Sequence, residues 1–193
     1  EVAVITAYQA VVLAGGRASR LGGPSKPDLV VDGHRLLDTA LKAARGAEQV
    51  VVVGDAAVPP GILRTREDPP FGGPVAGLEA GLGVLGPGSP WTLVLASDLP
   101  DAEAAVRVLL QAEPGPEHEG ACLVGDDGRL QWLLGCYRTP ALRRRLAERD
   151  GASAMYRLLE PLNLLAVDPG TASVVDLDTP GDVARWAARA DKP

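Results

Sequence analysis

A glycine-rich stretch directly after an apolar run is the feature that most constrains how this chain folds. The run, residues 10–13, consists of one alanine, two valines and one leucine, and such a short β-branched segment predicts a buried strand. Gly15 and Gly16 follow at once, where the backbone can turn sharply and come close to a ligand. Open α/β sheets bind ligands at glycine-rich loops beyond the carboxyl ends of parallel strands. The stretch therefore predicts an α/β sheet with a ligand site at this loop.

The same stretch carries positive charge. Arg17, Arg20 and Lys26 lie in or just after the loop, and cations together with free backbone N–H groups suit the oxygens of a phosphate. The stretch contains neither G-x-G-x-x-G nor G-x-x-x-x-G-K-[ST], the two common phosphate motifs. Phosphate binding is therefore one interpretation, and a glycine-rich βα turn with surface cations is the alternative.

Beyond the loop, apolar runs alternate with segments of helical spacing. Helices are predicted at 36–44, 74–85, 102–112, 141–149, 153–159 and 180–190, and strands at 49–53, 62–66, 91–96, 121–124, 130–137, 164–167 and 174–177. This alternation predicts an α/β fold of three layers, with helices on both faces of a doubly wound, mostly parallel sheet. We expect one domain over residues 1–193, with a first half at about 8–112 that carries the glycine-rich loop and a second half at about 113–190.

Composition excludes several classes of function. The chain has 193 residues, of which 46% are hydrophobic, and a net charge of −6; this favours a globular protein and argues against non-specific binding to nucleic acid or to anionic membranes. No apolar run approaches the roughly 18 residues of a membrane span, and the first residues lack the basic segment of a secretory signal. Cys122 and Cys136 lack metal-ligand spacing and are expected to be buried thiols. These features predict a cytoplasmic protein.

The loop also resembles a known signature. Residues 13–26 follow the pattern L-A-G-G-x-x-x-R-L-G with a lysine just beyond, which is similar to the signature of the Rossmann-like nucleotidyltransferase superfamily. The resemblance implies the fold of the nucleotide-diphospho-sugar transferase type and a loop that wraps the triphosphate of an incoming nucleotide. It assigns the triphosphate to Leu13, Ala14, Gly15, Gly16, Arg20 and Lys26.

A second segment narrows the resemblance to one branch. Residues 67–78 read E-D-P-P-F-G-G-P-V-A-G-L, similar to the D-x-x-x-x-x-G-P-L-A-G-(I/L) motif of the molybdenum cofactor guanylyltransferase (MobA-like) family. In that family the aspartate and the glycine loop contact the guanine nucleotide. The resemblance thus places Asp68, Gly73 and Gly77 in the nucleoside pocket, while an Asp-Pro turn that caps a helix is the alternative.

Asp98 is the strongest candidate for a metal ligand. It comes just after the apolar strand 91–96, at the end where this architecture binds ligands, and Mg²⁺ is satisfied by one or two carboxylates plus water and phosphate oxygens. The segment Ser97-Asp98-Leu99-Pro100 resembles the (C/S)-D-(M/L)-P motif of the family, whose aspartate binds Mg²⁺. Alternatively Asp98 caps the next helix, a role that Asp101 is expected to fill.

A third acidic segment lies near the end of the chain. Asp176 and Asp178 alternate along a predicted short strand and so face the same side, and Thr179 or Asp178 is expected to cap the helix that begins at Pro180. The segment resembles the closing N/D-x-N/D-T-P-(E)-D motif of the family, in which one of these residues helps to hold the metal. The guanylyl branch tends to carry asparagine where this chain has aspartate.

The resemblance implies a reaction. The phosphate of an acceptor attacks the α-phosphorus of a nucleoside triphosphate and pyrophosphate leaves. The acceptor phosphate is already ionised, so alignment and charge neutralisation suffice, with Arg20, Lys26 and Asp98 as the catalytic residues. Mg²⁺ would lie on Asp98, with Asp176 or Asp178. The family implies GTP as donor and molybdopterin or its molybdenum form as acceptor. The resemblance thus makes residues 8–112, approximately, the nucleotide-binding half and residues 113–190, approximately, the acceptor-side half.

Two alternatives remain at this stage. One is a CTP-dependent cytidylyltransferase, or another acceptor chemistry on the same scaffold, because Gly54 or Asp55 stands where the guanylyl branch often has asparagine. The other is a homologue that binds a nucleotide or a partner without turnover. Contact with cofactor-handling proteins would be transient, and the sequence leaves the oligomeric state open. The strand 131–138 resembles the acceptor-side strand of the family, and residues 143–145 are expected to form a solvated basic helix face.

Overall fold

A computed structural model describes residues 4–15, 26–70, 72–151 and 154–189. In chain order its strands are β1 (Tyr8–Leu13), β2 (Val30–Val31), β3 (His34–Arg35), β4 (Val50–Val53), β5 (Leu63–Thr65), β6 (Trp91–Ala96), β7 (Gly120–Val124), β8 (Leu130–Arg138) and β9 (Leu164–Val167). Its helices are α1 (Leu36–Ala43), α2 (Pro74–Leu85), α3 (Ala102–Leu110), α4 (Thr139–Glu148), α5 (Met155–Leu159) and α6 (Pro180–Ala187). None of the helices within these ranges is long and apolar enough to cross a membrane.

Seven strands form one sheet in the order β5-β4-β1-β6-β8-β7-β9, and β2 and β3 form a separate hairpin. The central strand β1 pairs in parallel with β4 and β6, and its valines and alanine are fully buried, as expected for a strand covered on both faces. Strand β8 runs antiparallel to both of its neighbours, β6 and β7. The prediction of a mostly parallel sheet is confirmed, with β8 as its antiparallel member.

The alternation of side chains along β1 divides the core into two layers. Ala10 and Val12 point to one face, where they pack with residues of α1 and α3. Val11 points to the other face and packs with residues of α2, α4 and α5. The sheet is therefore the middle of three layers, as the alternation of elements predicts.

Helix α2 lies close to the sheet because glycine faces it. A Cβ atom at Gly81 would come within 2.8 Å of Val11 Cγ1 and 3.2 Å of Val53 Cγ2, which is too close for an unstrained contact. At Gly77 a Cβ atom would lie 3.2 Å from Leu13 Cδ2. These two positions let the first turns of α2 approach the carboxyl ends of β1 and β4.

The predicted strand at 174–177 is wrong. This segment pairs with no strand of the described residues, and its backbone makes single contacts instead. The amide of Leu177 donates to the carbonyl of Asp98 at 3.1 Å, and the amide of Ser173 donates to Asp101 Oδ2 at 2.7 Å. Asp101 stands at the N-cap position of α3 as predicted, but its side chain forms no capping hydrogen bond there because it is engaged by Ser173.

The basic residues of α4 also differ from the prediction of a solvated face. The guanidinium of Arg143 donates to the carbonyls of Leu82 and Gly86, at the carboxyl end of α2, where carbonyl groups lack partners within the helix. Arg145 Nε donates to the carbonyl of Leu158 at 2.9 Å. Both side chains thus tie α4 to neighbouring helices.

Candidate active site

The carboxyl ends of the parallel strands β1, β4 and β6 open into a cavity of about 470 Å³, which we call the first cavity. Loops that leave these strands and the first turn of α2 form its walls. It is lined by Leu13, Gly15, Lys26, Pro27, Val53, Glu67, Gly73, Pro74, Gly77, Ala96, Ser97, Asp98 and Leu133. The site therefore lies at the edge of the sheet where the sequence predicts it.

Backbone groups come close together at the floor of this cavity. The amide of Ala14 donates to the carbonyl of Val53 at 2.9 Å, which extends the pairing of β1 with β4 by one residue. Gly54 follows with φ of 146°, and a Cβ atom there would lie 2.8 Å from the carbonyl oxygen of Ala14. Only glycine fits such a position. It lets the backbone at the end of β4 approach Ala14 and Gly15 closely, and Gly15 lines the cavity.

The amino end of α2 borders the cavity on the other side. Gly73 adopts φ of 89° at the N-cap position and Pro74 occupies the first turn. Proline is suited to that position because the first backbone N–H groups of a helix have no partner within it. The remaining free N–H groups and the helix dipole make this end favourable for negative charge.

Asp98 projects from the loop after β6 and is largely enclosed, with 18% of its side chain exposed. Its Oδ2 lies 3.4 Å from Lys26 Nζ, and its buried Oδ1 has no hydrogen-bond partner among the described residues. Burial raises the pKa of this carboxyl, and the negative charge of Asp178 raises it further, while Lys26 acts in the opposite direction. The protein thus holds a carboxylate with an unused oxygen at a place that disfavours its charge.

Two more carboxylates approach Asp98 from the segment before α6. Oxygen atoms of Asp98, Asp176 and Asp178 lie within 4.8 Å of one another. Burial raises the pKa of Asp176, and the charges of Asp98 and Asp178 raise it further. We call these three residues the carboxylate cluster. The sequence predicts Asp98, with Asp176 or Asp178, as metal ligands, and the fold brings all three carboxylates together.

The segment that carries Asp176 and Asp178 is fixed at both sides of Asp178. Leu177 is fully buried against Val31 and Leu36, beside the β2–β3 hairpin. Thr179 and Asp182 form a reciprocal capping box at the start of α6, which satisfies two backbone N–H groups. The predicted capping role of Thr179 is confirmed.

Lys26 stands opposite the cluster and bridges two of its members. Its ammonium group donates to Asp178 Oδ1 and to Asp98 Oδ2. Burial alone would lower the pKa of Lys26, but its hydrogen bonds and charge interactions with Asp178 and Asp98 outweigh burial and raise it. Lys26 is therefore a permanent cation beside three acids.

The donor set of the cluster fits a hard divalent cation. Mg²⁺ binds carboxylate oxygens and keeps several waters, and it needs no complete protein cage. The partnerless Oδ1 of Asp98 provides one such oxygen, and Asp176 and Asp178 provide others within reach. The residues present could thus hold Mg²⁺ at the border of the first cavity.

A second cavity, of about 810 Å³, adjoins the first. It is lined by Ala96, Asp98, Leu99, Asp127, Arg129, Leu130, Gln131, Trp132, Leu133, Leu134, Met155, Tyr156, Glu160, Val174 and Asp176. Strand β8 supplies one wall with aromatic and aliphatic side chains, and α5 supplies another. Ala96, Asp98 and Leu133 line both cavities, so the carboxylate cluster lies where the two meet.

Not every predicted residue faces a cavity. Gly16 and Arg20 lie outside the described residues. Ala14 is buried in the core, while Asp68 is exposed and is not among the residues that line the first cavity. The neighbouring acid, Glu67, lines that cavity instead, with Oε1 3.9 Å from where a Cβ of Gly15 would lie.

The second cavity went largely unrecognised in the sequence. Met155 and Tyr156 stand far from the other motifs, and the apolar members of β8 look like ordinary core residues. The resemblance of strand 131–138 to an acceptor-side strand is the one sequence signal that points to it. Trp132, on that strand, lines the cavity.

A family model and curated relatives agree on the family that this chain resembles. Residues 10–167 match the family model described as the MobA-like NTP transferase domain. The molybdenum cofactor guanylyltransferase of Pseudomonas syringae pv. syringae is 28% identical over 185 residues, which cover 88% of this chain and 88% of that protein.

Solved structures share the fold. Molybdopterin-guanine dinucleotide biosynthesis protein A from Archaeoglobus fulgidus has a TM-score of 0.66 at 19% identity and covers 96% of this chain and 100% of its own. The 2-C-methyl-D-erythritol 4-phosphate cytidylyltransferase from Thermus thermophilus has a TM-score of 0.62 at 22% identity, with coverage of 95% and 98%. Proteins named for guanine dinucleotide biosynthesis and for cytidylyl transfer thus share this fold, so the fold alone does not select the base.

Proposed function

The chain belongs to the MobA-like NTP transferase family, and we propose that it transfers the guanylyl group of GTP to the phosphate of molybdopterin and releases pyrophosphate. It is a nucleotidyltransferase by family. The choice of GTP and of a molybdopterin acceptor is supported by relatives that bear the name molybdenum cofactor guanylyltransferase along most of the chain.

The observation that carries the proposal is the junction of the two cavities at Asp98. Nucleotidyl transfer needs a donor and an acceptor that meet at one phosphorus atom, with negative charge neutralised there. The first cavity has Gly15, Lys26 and the amino end of α2, which suit a nucleoside triphosphate. The second cavity has a larger, partly aromatic wall, which suits a bulky heterocyclic acceptor.

Different residues of this chain would bind the phosphates and hold the metal. Gly15 and the amino end of α2 would offer N–H groups to the phosphates, and Lys26 would neutralise the charge that develops on pyrophosphate. Asp98, with Asp176 and Asp178, would hold Mg²⁺. The metal, when bound, would neutralise phosphate oxygens and align the donor with the acceptor.

The acceptor side supports attack by a group that is already ionised. The described residues that line the two cavities include no histidine and no cysteine, the usual bases and nucleophiles of acyl transfer. A phosphate acceptor needs neither. Trp132 and Tyr156 line the second cavity and offer flat faces on which a pterin ring would stack.

The proposal is tested by supplying each nucleotide with the acceptor. The purified protein is incubated with Mg²⁺, molybdopterin and one of GTP, CTP, ATP or UTP, and both pyrophosphate and the mass of the dinucleotide product are measured. Reactions without acceptor serve as the control for hydrolysis. GTP-dependent release of pyrophosphate together with the guanine dinucleotide is the expected result.

Other outcomes have definite meanings. Product from CTP alone would make the protein a cytidylyltransferase on the same scaffold. A nucleotide that stabilises the protein against heat but releases no pyrophosphate would indicate a binding protein. A ligand at one hundred times its dissociation constant stabilises by about 2.7 kcal/mol, which a thermal-shift assay detects easily.

A further inference from the structure

The contacts of Lys26 place its ammonium group on the oxygens that a divalent cation would use. Lys26 Nζ donates to Asp98 Oδ2 and to Asp178 Oδ1, which are two of the three carboxylates of the cluster. Its side chain is 24% exposed and lines the first cavity. The ammonium thus sits between the two acids.

A metal ion and this ammonium group compete for the same place. Both are cations that gain from the same carboxylate oxygens, and a double charge beside a single charge in a partly enclosed site is strongly repulsive. Mg²⁺ could use the free Oδ1 of Asp98, but the oxygens that face Lys26 would have to be released or shared. Only one cation at a time can have the full benefit of the cluster.

We propose that Lys26 acts as a counter-cation of the carboxylate cluster in the protein without nucleotide, so that a divalent metal alone binds weakly until a triphosphate draws Lys26 away. The proposal rests on the metal position assigned under the proposed function. It adds a second task to Lys26, since the ammonium either pairs with the acids or binds the phosphates.

The position of Lys26 would couple the binding of the nucleotide to the binding of the metal. The triphosphate attracts the ammonium away from Asp98 and Asp178 and frees their oxygens, so nucleotide and metal favour each other's binding. A free metal gains little from the cluster by itself. The coupling between the two ligands runs through one side chain and needs no movement of the sheet.

The experiment measures the binding of Mn²⁺ alone, with no nucleotide, from the electron paramagnetic resonance signal of the free ion. Lys26→Met and Lys26→Gln remove the ammonium and should tighten Mn²⁺ binding at least tenfold relative to the unchanged protein. Lys26→Arg keeps a cation and should leave binding weak. Lys42→Met is the matched control, because Lys42 lies on α1 and pairs with Glu103, away from the cluster.

A double variant locates the metal. Lys26→Met combined with Asp98→Asn should lose the gain, because Asp98 supplies the oxygens for which the two cations compete. Equal or weaker Mn²⁺ binding in both neutral Lys26 variants would overturn the proposal. The proposal would also be overturned if the Lys26→Met protein stayed unfolded in millimolar Mn²⁺ while the Lys26→Arg protein folded. That result would show that Mn²⁺ cannot replace the ammonium group as the cation of the cluster.

This test is independent of the transfer reaction, because it uses neither GTP nor an acceptor. Tightened Mn²⁺ binding in a protein that proves inactive with every nucleotide would support the role of Lys26 and reject the proposed function. Guanylyl transfer by the unchanged protein, with no gain in Mn²⁺ affinity in the Lys26 variants, would support the proposed function and reject the role of Lys26 as counter-cation.

Discussion

Asp98 shows at the level of one residue how function and stability oppose each other. Its raised pKa, which burial mainly causes, means that the folded protein disfavours the carboxylate. The stability that the protonated carboxyl contributes is fully present below the pKa of an unfolded carboxyl. It is lost as pH rises through the raised pKa of the folded protein, so at pH 7 the ionised carboxylate lowers the free energy of unfolding. We therefore expect Asp98→Asn, without metal at pH 7, to have a melting temperature no lower than that of the unchanged protein.

The same substitution should abolish turnover. Loss of a metal-binding carboxylate removes several kcal/mol of charge stabilisation, so we expect pyrophosphate release to fall by roughly a hundredfold or more. Asp38→Asn is the matched control, since Asp38 lies on the exposed side of α1 and pairs with Arg35. Activity of Asp98→Asn within about tenfold of normal would contradict the metal role of Asp98.

Glu67 and Asp68 offer a second test at this scale. Guanine presents two adjacent donors, N1–H and the 2-amino group, to which one carboxylate accepts two hydrogen bonds, whereas cytosine presents its 4-amino group alone. Glu67 lines the first cavity and Asp68 does not. We expect Glu67→Gln to reduce the preference for GTP over the other nucleotides about tenfold or more, and Asp68→Asn to have the smaller effect, as measured by kcat/KM for each. The reverse order would restore Asp68 as the base-reading residue.

Which of two adjacent acids faces a cavity is beyond what the sequence can decide. The motif places an acid before the prolines, and the sequence resemblance selects Asp68, but backbone direction decides which side chain points inward. The sequence singles out Asp98, Asp176 and Asp178 as candidate metal ligands, because each follows a recognisable local pattern. Their convergence within 4.8 Å depends on the buried Leu177 and on α6, which join positions about 80 residues apart.

At the scale of elements, the contact between α2 and the sheet depends on one glycine. Gly81→Ala would place a methyl group 2.8 Å from Val11 Cγ1 and 3.2 Å from Val53 Cγ2, both of which are core side chains. Overpacking of this kind costs about 1–3 kcal/mol, more than the ~1 kcal/mol that alanine gains over glycine in a helix. We expect a net loss in the free energy of unfolding, measured with urea.

The same helix contains its own control. Gly83 has nothing within 4 Å of where its Cβ would lie and is exposed. Gly83→Ala should therefore stabilise the protein by about 0.5–1 kcal/mol. If both substitutions stabilised equally, the close approach of α2 at Gly81 would not be a packing constraint.

Helix α6 should affect the site more than the global fold. None of its residues is buried, and it is anchored through Leu177, the capping box and a hydrogen bond of 2.8 Å from Trp186 Nε1 to Asp32. Thr179→Ala removes the cap, which costs about 1 kcal/mol locally. We expect faster amide hydrogen exchange in α6 and weaker metal binding, with little change in the global melting temperature. Thr171→Ala, in the exposed preceding loop, should change none of these, and a large drop in melting temperature for Thr179→Ala would contradict a local role for α6.

Elements with strong periodicity were predictable from the sequence, whereas a segment held by single contacts was not. The bounds predicted for α2, β6 and β9 are confirmed because proline, glycine and apolar periodicity mark their ends. Residues 174–177 look like a strand because they are apolar and β-branched in part. In the structure their amides form separate hydrogen bonds, such as that of Leu177 to the carbonyl of Asp98, and no local sequence pattern predicts such contacts.

At the scale of the whole molecule, one sheet joins the two cavities. The parallel strands β1, β4 and β6 build the first cavity, and the antiparallel strand β8, which pairs directly with β6, builds a wall of the second. The alternation of elements predicts the layers and the first site. It does not predict the second cavity, which needs β8, α5 and the segment before α6 to meet.

Buried thiols in the second half of this sheet make global stability sensitive to alkaline pH. Cys122 and Cys136 are fully buried; burial raises the pKa of Cys122 to about 12 and also raises that of Cys136. An unfolded thiol ionises near pH 8.5, so its stabilising contribution is complete below that pH and is lost as pH rises toward the folded pKa. Each thiol should then remove about 1.4 kcal/mol of unfolding free energy per pH unit.

Urea unfolding at pH 8.5, 9.25 and 10, in the presence of a reductant, would measure this slope. The double variant Cys122→Ala/Cys136→Ala should have a lower stability at pH 8.5, because both substitutions leave small cavities, but a shallower decline with pH. Part of the slope that remains would come from Tyr137 and Tyr8, because burial raises the pKa of both phenols. An unchanged slope in the double variant would mean that the thiols ionise as readily in the folded protein as in the unfolded chain, and would contradict the role assigned to the burial of Cys122 in β7 and of Cys136 in β8.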